Sequence, residues 1–357
     1  MLIVYVVGAR PNVVKMAPVV AELRRRMPAD RHVVVHTGQH YDRMMSEVFL
    51  EELEFGEPDH HLNVGSASHA VQTARVMERL EPLLVQEAPD LVIVPGDVNS
   101  TLAAALVAVK LGIPVAHVES GLRSFDRSMP EEVNRIVTDQ FSQHLFIHSE
   151  EAIDNLRREG IGDERVHFVG NTMIDALMAF EPRFRSRDAA SRLGLVPGEF
   201  LLVTLHRPSL VDGPLLEDAI AALEQVSQDL PVFFPVHPRT RKMLGDRPPG
   251  SNLQLADPVG YLDFLSLTSD AAAVLTDSGG VQEETTFLDI PCFTLRDTTE
   301  RPVTVRLGTN TVLGLAPERI TQIPAALAGA ARSQRELPPM WDGRASARIA
   351  DVITGEG

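Results

Sequence analysis

The chain has 357 residues, 44% of them hydrophobic and 23% charged, and a formal net charge of -16. This composition excludes a disordered chain, and the lack of any apolar run near the ~20 residues that cross a bilayer excludes a membrane-spanning protein. The negative charge argues against nucleic acid as a partner, because a surface that follows phosphates needs clustered lysine and arginine.

The length favours two domains of roughly 150 to 180 residues each. The N-terminus, MLIVYVVGARP, has no basic region before its apolar stretch, so it predicts a first strand rather than a signal peptide. The single cysteine, Cys292, lies in the apolar string IPCFTL and predicts a buried, unreactive thiol. We therefore expect a cytoplasmic protein without disulfides.

Short apolar runs alternate with helical stretches in the first half of the chain. The runs LIVYVVG, HVVVHTG, LVIVPGD, PVAHVES and HLFIHS predict strands. Helices are predicted from about Val13, from about Asp42 and over NSTLAAALVAVKLG. This alternation indicates a parallel sheet with helices on both faces, and it assigns residues 1–174 to an N-terminal Rossmann-like domain that carries the acid/base carboxylates discussed below.

A second series of apolar runs begins near Glu199 with FLLVTLHRP and continues with PVFFPVHP, NLQLADP, AAAVLTDSGG and PCFTLRD. The stretch from Asp175 to Gly198, rich in arginine, proline and small polar residues, predicts a hinge. We assign residues 175–340 to a C-terminal Rossmann-like domain and residues 341–357 to a final helix that packs back on the N-terminal domain. The predicted fold class is α/β, with two Rossmann-like doubly wound domains facing a central cleft.

Nearly every predicted strand ends in polar residues. In chain order these endings are GARPNVVK, TGQH, PGDVNST, HVESGLRS, HRPS, HPRT, DSGG and RDTTERP. Parallel strands place their carboxyl ends on one rim, and so many polar endings on a rim are hard to explain by packing. The pattern predicts a ligand site there.

The string TDSGGVQEETTF places Gly279 and Gly280 at a strand-to-helix turn. Free backbone N–H groups and the positive end of the helix dipole converge at such a turn, which suits a phosphate. Arg296 and Arg301 follow the next predicted strand, and their planar guanidinium groups suit the same anion. The alternative is a tight turn with ordinary surface charges.

Two basic residues follow the first strand. Arg10 and Lys15 lie on either side of the first turn and its helix, with Pro11 placed as an early helical residue. Both side chains suit a phosphate or a sugar, and the alternative for each is a solvent-facing charge.

Carboxylates follow three later elements and suit proton transfer. Asp97 comes after LVIVPG, and its alternative role is a helix N-cap. Glu119 directly follows the apolar string PVAHV, where a carboxylate is expected to be paired or functional. Glu131 and Glu132 open MPEEVNRIV, where acids also favour a helix start. Together with His206, which follows LLVTL and has a core histidine as its alternative, these groups suffice for proton transfer at carbon.

Metal and nicotinamide are not indicated. No spacing of histidine, cysteine and aspartate resembles a zinc or iron site, and no GxGxxG follows the first strand. We therefore expect an enzyme without a cofactor.

These strings resemble a known family. GARPNVVKMAPVV, TGQHYD, PGDVNSTLAAALVAVKLGIPVAHVESGLRSFDRSMPEEVNR, GNTMIDAL, TLHRPS, PVHP, TDSGGVQEE and LRDTTERP together resemble UDP-N-acetylglucosamine 2-epimerase of the non-hydrolysing bacterial and archaeal type. The likeness runs from residue 3 to about residue 314, in order and without large gaps.

The resemblance implies a two-domain, glycosyltransferase-B-like fold in which the C-terminal half holds most of UDP. It implies interconversion of UDP-GlcNAc and UDP-ManNAc, a precursor of cell-surface polysaccharide, by anti elimination of UDP. A 2-acetamidoglucal intermediate forms, and UDP adds again with C2 inverted. The implied partners are a UDP-sugar substrate and a second copy of the chain in a homodimer.

Carried onto this chain residue by residue, the family's acid/base carboxylates fall on Asp97, Glu119 and Glu131, and its active-site histidine falls on His206. The glutamate that binds the ribose hydroxyls falls on Glu284, and the amides that meet the diphosphate belong to the serine and glycines of DSGG. The complete set of implied substrate contacts is Arg10, Lys15, Arg123, Arg135, His237, Ser278, Gly279, Gly280, Glu284 and Arg301.

The chain departs from the family pattern at four places. Ser120 replaces the usual alanine, Leu210 replaces an asparagine of related HRPSN strings, and Val259 replaces a polar residue common near the uracil. TGQHYDRMM differs from the QHREM or QHRQM string of relatives that have a second, activating UDP-GlcNAc site.

Four alternatives to this function remain at the level of sequence. One is a hydrolysing relative that releases ManNAc and UDP, and another is a 2-epimerase of a related UDP-2-acetamido sugar. A glycosyltransferase of the same fold is disfavoured because SFDRSMPEE and the three carboxylates match the epimerases. A non-catalytic UDP-sugar-binding protein is disfavoured because Asp97, Glu119, Glu131 and His206 are all present.

Overall fold

The computed structural model describes residues 1–38, 52–53, 55–245, 252–329 and 336–355. The helix predicted from about Asp42, and the part of the TGQHYDRMM string after Gly38, lie outside the described residues. The chain divides into two compact units. The first comprises Met1–Met178 and Pro339–Gly357, and the second comprises Ala179–Pro338.

The first unit is built on a seven-stranded sheet. Its strands are β1 (Leu2–Val7), β2 (Arg31–His36), β3 (His60–His61), β4 (Leu91–Pro95), β5 (Val115–Val118), β6 (His144–Ile147) and β7 (Val166–Phe168). They lie in the order β3-β2-β1-β4-β5-β6-β7, and every described pairing is parallel. The order reverses between β1 and β4, which is where doubly wound sheets bind ligands.

Six helices are described in this unit up to its junction with the second, apart from the residues between Gly38 and Phe55. They are α1 (Arg10–Arg26), α2 (His69–Glu87), α3 (Asn99–Lys110), α4 (Pro130–Phe141), α5 (Glu151–Arg158) and α6 (Thr172–Arg185), with a 3-10 turn at Asp163–Arg165. Strands β1, β4 and β5 are buried along their whole length, because helices cover both faces of the sheet. Helix α1 begins at Arg10, earlier than the predicted start, since Pro11 already has the backbone angle of a first helical turn.

The second unit has a six-stranded sheet. Its strands are β8 (Leu201–Thr204), β9 (Val232–Pro235), β10 (Leu253–Ala256), β11 (Ala273–Thr276), β12 (Cys292–Thr294) and β13 (Asn310–Val312). Their order is β10-β9-β8-β11-β12-β13, again with parallel pairings. The reversal lies between β8 and β11, so HRPS and DSGG, which follow these strands, meet at one edge.

The helices of the second unit surround this sheet. They are α7 (Ala189–Arg192), α8 (Pro208–Val211), α9 (Leu215–Val226), α10 (Pro238–Leu244), α11 (Tyr261–Asp270), α12 (Gly279–Phe287), α13 (Pro302–Arg306) and α14 (Ile323–Gly329), with a 3-10 segment at Pro317–Gln322. The core of the unit contains Leu210, so the departure from asparagine in the HRPSL string is a buried apolar residue. Cys292 is buried, as predicted.

The predicted hinge contains a helix rather than an irregular linker. Helix α6 crosses the division between the units, because TMIDALMAFEPRFR places Ile174, Leu177 and Phe184 on one buried face at helical spacing. Arginine and proline in this stretch suggested a linker, but its apolar positions determine its structure.

The end of the chain belongs to the first unit. Helix α15 (Ala345–Thr354) lies against α1, and the carboxylate of Asp175 accepts hydrogen bonds from the backbone N–H groups of Ala345 and Ser346. The indole N–H of the buried Trp341 donates to the carbonyl of His148 at 3.0 Å. In the described part of the chain, no helix combines the length and the apolar character needed to cross a membrane.

Candidate active site

In the first unit, Asp97 and Glu119 follow neighbouring parallel strands. Strand β4 pairs with β5 so that Pro95 lies opposite Val118; Glu119 directly follows β5, and Asp97 follows β4 after Gly96. The Asp97 side chain is 26% exposed, whereas that of Glu119 is 7% exposed. The sheet therefore places one accessible carboxylate and one buried carboxylate at the same edge.

Glu119 is buried as an ion pair with Lys15. Lys15 lies on α1 and donates a short hydrogen bond to the Glu119 carboxylate. A buried pair of this kind balances the charge of both groups, so removing either one leaves an uncompensated charge. A small concavity at this place is lined by Lys15, Glu119, His148 and Asn171, among others.

The backbone of Glu119 is strained. Its φ is +68°, a left-handed conformation that is uncommon for a residue with a side chain. The N–H groups of Glu119 and Ser120 both donate to the carbonyl of Phe146, at 3.0 and 3.1 Å, and these bonds hold the turn. Such strain is concentrated at functional sites.

Gly96 makes room for this pair. Its φ is +65°, and a Cβ atom there would lie 3.3 Å from both the Lys15 ammonium and a Glu119 carboxylate oxygen. A side chain at this position would therefore strain the backbone and crowd the two charged groups.

Asp97 is held by Arg135. The Arg135 Nε donates to the Asp97 carboxylate at 3.0 Å, and the Asn134 side chain donates to the Asp97 carbonyl at 2.8 Å. Asp97 does not cap a helix. Helix α3 begins at Asn99, with Val98 in the N-cap position and no side-chain cap.

The neighbouring acids Glu131 and Glu132 have different environments. Glu132 is buried and accepts hydrogen bonds from the backbone N–H of Ser124 and of Phe125, both at 2.9 Å, and it also pairs with Arg135. Glu131 lies half-buried in the first turn of α4, and within the described residues its carboxylate has no hydrogen bond or ion pair. Glu132 thus fixes the loop after β5, while the carboxylate of Glu131 is available to a ligand.

A buried network that the sequence did not suggest ties the two strand ends together. His117 Nε2 donates to the carbonyl of Gly96 at 2.7 Å, and Nδ1 lies 2.7 Å from the Asp139 carboxylate. Asp139 also accepts from the Gly121 N–H and pairs with Arg123. The His117 imidazole therefore holds the loop of Asp97 through Gly96, and its partner Asp139 holds the loop of Glu119 through Gly121.

Arg123 and Arg10 have distinct positions. The Arg123 side chain is 1% exposed and binds the carboxylates of Asp139 and Glu159, so its guanidinium is engaged within the first unit. Arg10 is the first residue of α1, at the carboxyl end of β1.

Ser120, the departure next to Glu119, is fully buried, and its hydroxyl has no hydrogen-bond partner among the described residues. An unpaired buried hydroxyl costs free energy. We expect Ser120→Ala to raise the free energy of unfolding by about 1 kcal/mol. Chemical denaturation of the two proteins measures the difference.

The matched control is Ser100→Ala, because the buried Ser100 hydroxyl lies 2.8 Å from that of Thr37. Its loss is expected to lower stability. A Ser120→Ala protein less stable than the wild type would show that the hydroxyl is satisfied.

In the second unit, the DSGG turn has the predicted geometry. Strand β11 ends at Thr276, Ser278 is the N-cap residue of α12, and the helix begins at Gly279. A Cβ atom on Gly279 would lie 2.2 Å from the Arg301 guanidinium, so a side chain there would displace this arginine. The turn brings backbone N–H groups and an arginine to one place, which is the arrangement an anion needs.

Buried carboxylates hold the arginines of this edge. Glu300 pairs with Arg296 at 2.7 Å and with Arg301 at 2.5 Å, and Glu283 lies 3.1 Å from the Arg301 Nε. Arg207 Nη2 lies 3.9 Å from Glu300. The guanidinium groups are thereby fixed before any ligand binds, which reduces the entropy lost on binding.

Glu284 is buried and accepts a hydrogen bond from the Tyr261 hydroxyl at 3.0 Å. Burial raises the pKa of Glu284 to about 8, against the opposing effect of the Tyr261 hydrogen bond, and the neighbouring Glu283 adds to the increase. The folded protein binds this proton more tightly than the unfolded chain does, so proton binding stabilises the fold. This stabilisation is complete below pH 4.5 and is lost as the pH rises to about 8.

We therefore expect Glu284→Gln to become progressively more stable than the wild type between about pH 4.5 and pH 8. Thermal denaturation of both proteins across this range gives the difference in stability at each pH. Glu224→Gln, an exposed substitution on α9, is the control and should follow the wild type. A difference that does not change with pH would mean that Glu284 ionises normally.

His206 and Asp277 meet where β8 and β11 end. His206 Nδ1 lies 2.9 Å from the Asp277 carboxylate, and the His206 side chain is 41% exposed. The ring of His237, which follows β9, lies 6.1 Å from the His206 ring between centroids. The alternative of a core histidine does not apply to so exposed a ring.

Several residues of these sites were missed in the sequence, namely His117, Asp139, Asp277, Glu283, Glu300 and Tyr261. Most of them lie within or beside quoted motifs, but apart from Glu300, which pairs with the nearby Arg296 and Arg301, they act on partners that are distant in the chain. Within the described residues of each unit taken alone, no three metal-ligating side chains gather at ligand distance.

Known proteins are similar to the chain over its whole length. The family model for UDP-N-acetylglucosamine 2-epimerase matches residues 22–354. A UDP-N-acetylglucosamine 2-epimerase of Methanococcus maripaludis is 40% identical over 98% of this chain and 98% of its own. A UDP-2,3-diacetamido-2,3-dideoxy-D-glucuronate 2-epimerase of Pseudomonas aeruginosa is also 40% identical, over 99% of each chain.

A solved structure gives the same result. The UDP-GlcNAc 2-epimerase of Methanocaldococcus jannaschii, crystallised in complex with UDP-GlcNAc and UDP, is 38% identical and has a TM-score of 0.91 over 99% of this chain and 100% of its own. The similarities define a nucleotide-sugar epimerase with a glycosyltransferase-B-like fold. The chain belongs to the UDP-N-acetylglucosamine 2-epimerase family.

Proposed function

We propose that this enzyme interconverts UDP-GlcNAc and UDP-ManNAc reversibly, by elimination and re-addition of UDP. The observation that carries the proposal is the buried pair of Lys15 and Glu119, whose carboxylate stands on a strained left-handed backbone beside Asp97. Backbone strain and buried charged groups of this kind are concentrated at functional sites. Relatives with 40% identity that are named UDP-N-acetylglucosamine 2-epimerase support the choice of reaction.

The chemistry requires groups on both faces of the sugar. A carboxylate removes the proton from C2, the C–H electrons form the C1–C2 double bond, and the bond between C1 and the diphosphate oxygen breaks with its electrons leaving on UDP. Re-addition delivers a proton to the opposite face of C2. Asp97, Glu119 and Glu131 are the proposed acid/base set, because two faces need more than one carboxylate.

The second unit supplies the proposed UDP site. The C2 proton is only weakly acidic, so its removal depends on stabilising the charge that develops on the diphosphate. The N–H groups at Ser278, Gly279 and Gly280, together with Arg301 and His206, are the proposed source of that stabilisation. Glu284 is proposed to bind the ribose hydroxyls. Contacts of Arg10, Lys15, Arg123, Arg135 and His237 with substrate stay predictions.

The test of the reaction starts from UDP-GlcNAc and follows products by NMR over several hours. Reversible epimerisation produces an equilibrium mixture of the two UDP-sugars, with little free UDP, and the same mixture forms from UDP-ManNAc. Steady accumulation of free ManNAc with stoichiometric UDP would instead make the enzyme a hydrolase.

A related sugar is the second candidate substrate. The Pseudomonas aeruginosa relative named UDP-2,3-diacetamido-2,3-dideoxy-D-glucuronate 2-epimerase matches this chain at the same identity as the relative named for UDP-GlcNAc. Exchange of the C2 proton in deuterated water, measured for a panel of UDP-2-acetamido sugars, identifies the preferred substrate. We also propose a homodimer, which light scattering of the purified protein would test.

A further inference from the structure

The two oxygens of the Asp277 carboxylate make different contacts. One oxygen accepts hydrogen bonds from the backbone N–H of His206 at 2.8 Å and of Arg207 at 2.7 Å. The other lies 2.9 Å from the Nδ1 of the His206 ring. Asp277 is almost fully buried, and its own carbonyl accepts from the Arg207 Nε at 2.9 Å.

The charge of Asp277, 2.9 Å from Nδ1, favours a proton on the nitrogen of His206 that faces it. An ionised carboxylate only accepts hydrogen bonds, so the ring nitrogen that faces it must be the donor. Burial alone would raise the pKa of Asp277, but the hydrogen bonds from His206 and Arg207 hold it below its usual range. Nδ1 therefore carries the proton of the neutral ring, and Nε2, on the other side of the ring, is unprotonated.

The environment of His206 supports a charge on this ring. The charged and titratable side chains of the same unit near this ring include Asp277 and His237, and the adjacent Arg207 lies 3.9 Å from Glu300. Asp277 is the carboxylate that contacts the ring directly, so it balances a second proton on Nε2. Because His206 is 41% exposed, that proton is available from solvent and to a ligand.

We propose that Asp277 is a positioning residue that makes His206 take up a proton on Nε2 when the UDP diphosphate binds. His206 then donates from Nε2 to a diphosphate oxygen as a cation, with its Nδ1 proton held by Asp277. The proton comes from solvent, and no covalent bond to the histidine forms. This inference rests on the proposed function, in which His206 meets the leaving diphosphate.

Asp277→Asn tests the inference with little change in shape. The oxygen site that faces two backbone N–H donors can be filled only by the amide oxygen, so the amide NH₂ must face His206 Nδ1. The variant should therefore switch the neutral ring to the Nε2–H tautomer. The same exchange of tautomer explains the loss of activity when the triad aspartate of a serine protease is replaced by asparagine.

The measurement is NMR of protein labelled with 15N in histidine, at a pH about two units above the ordinary histidine pKa of ~6.5. The His206 signals are assigned by their loss in His206→Gln. In the wild type we expect a protonated Nδ1 and an unprotonated Nε2, which becomes protonated when UDP is added. In Asp277→Asn we expect a protonated Nε2 and an unprotonated Nδ1, with no proton uptake on adding UDP.

Turnover provides the functional readout. The variant should lose about tenfold in kcat, because it loses a positive charge that opposes the charge developing on the diphosphate as it leaves. Asp263→Asn is the matched control, since Asp263 pairs with Arg192 on the surface of the same unit, and it should keep both the wild-type spectrum and the wild-type kcat.

The outcomes separate this inference from the proposed function. A wild-type ring protonated on Nε2 and not on Nδ1 overturns the inference without any variant, as does an Asp277→Asn spectrum identical to the wild type. An unchanged kcat after a tautomer switch also overturns it. A protein that takes up the proton with UDP but turns over no UDP-sugar confirms the role of Asp277 in binding and overturns the proposed function alone.

Discussion

Glu119→Gln is expected to lower kcat by about 10²–10⁴-fold, while UDP still binds with nearly wild-type affinity. The substitution keeps the size of the side chain and removes its ability to take a proton. UDP affinity should largely persist because most of the proposed UDP contacts, Ser278, Gly279, Gly280, Glu284 and Arg301, belong to the second unit and Glu119 belongs to the first. Asp97→Asn and Glu131→Gln are expected to behave in the same way, as members of one acid/base set.

Steady-state kinetics and calorimetry with UDP give the two quantities. Glu119→Gln also leaves the buried Lys15 without its ion-pair partner, so circular dichroism must show that the variant is folded. The control is Glu87→Gln, which removes the partner of the exposed Arg31 in the same unit. Near-normal turnover in any of the three variants would remove that residue from the acid/base set.

The pair of Glu131 and Glu132 sharpens this test. Glu132→Gln removes the acceptor of two backbone N–H groups and the partner of Arg135, so it should lower stability. Glu131→Gln removes no contact among the described residues, so it should lower turnover at unchanged stability. An equal loss of stability in the two variants would assign Glu131 a structural role.

Arg301→Ala is expected to weaken UDP binding by about 10- to 100-fold, the effect of losing a charge-assisted hydrogen bond of about 1.5 to 3 kcal/mol. The structure gives a reason for a loss at the upper end of this range. Arg301 lies between Glu300 and Glu283, and its removal leaves two buried carboxylates facing the anion site.

Calorimetry with UDP and with uridine separates a phosphate contact from a general loss of structure. Affinity for uridine should stay unchanged, because uridine lacks the diphosphate. Arg192→Ala, which removes a surface partner of Asp263, is the control. An equal loss for UDP and uridine would move Arg301 out of the phosphate site.

Much of the fold could be predicted because parallel strands buried on both faces are continuous apolar runs. LIVYVV and LVIVP are such runs, and both form strands. The strands His60–His61, Val166–Phe168 and Asn310–Val312 could not be found this way, because they have only two or three residues and polar side chains among them. Pairing with an existing sheet, rather than local sequence, makes them strands.

The sequence indicated which strand ends carry the candidate site residues, but not which side chains these residues contact. Strand ends indicated where Glu119 and His206 lie, because the carboxyl ends of parallel strands share a rim. The partner of Glu119 is 104 residues away in the chain, and that of His206 is 71 residues away. No local spacing encodes such pairs, so only the three-dimensional arrangement identifies Lys15 and Asp277 as partners.

The attachment of Trp341 and α15 to the first unit makes the second unit an insertion in the first. During synthesis, Met1–Met178 leaves the ribosome long before Pro339–Gly357, and all of Ala179–Pro338 is made in between. The seven-stranded sheet can form early. The hydrogen bonds of Ser346 with Asp175 and of Trp341 with the carbonyl of His148 cannot form until residues 339–357 have been made. The inserted unit is continuous in the chain, so it can be complete first, and the first unit closes only when residues 339–357 have been made.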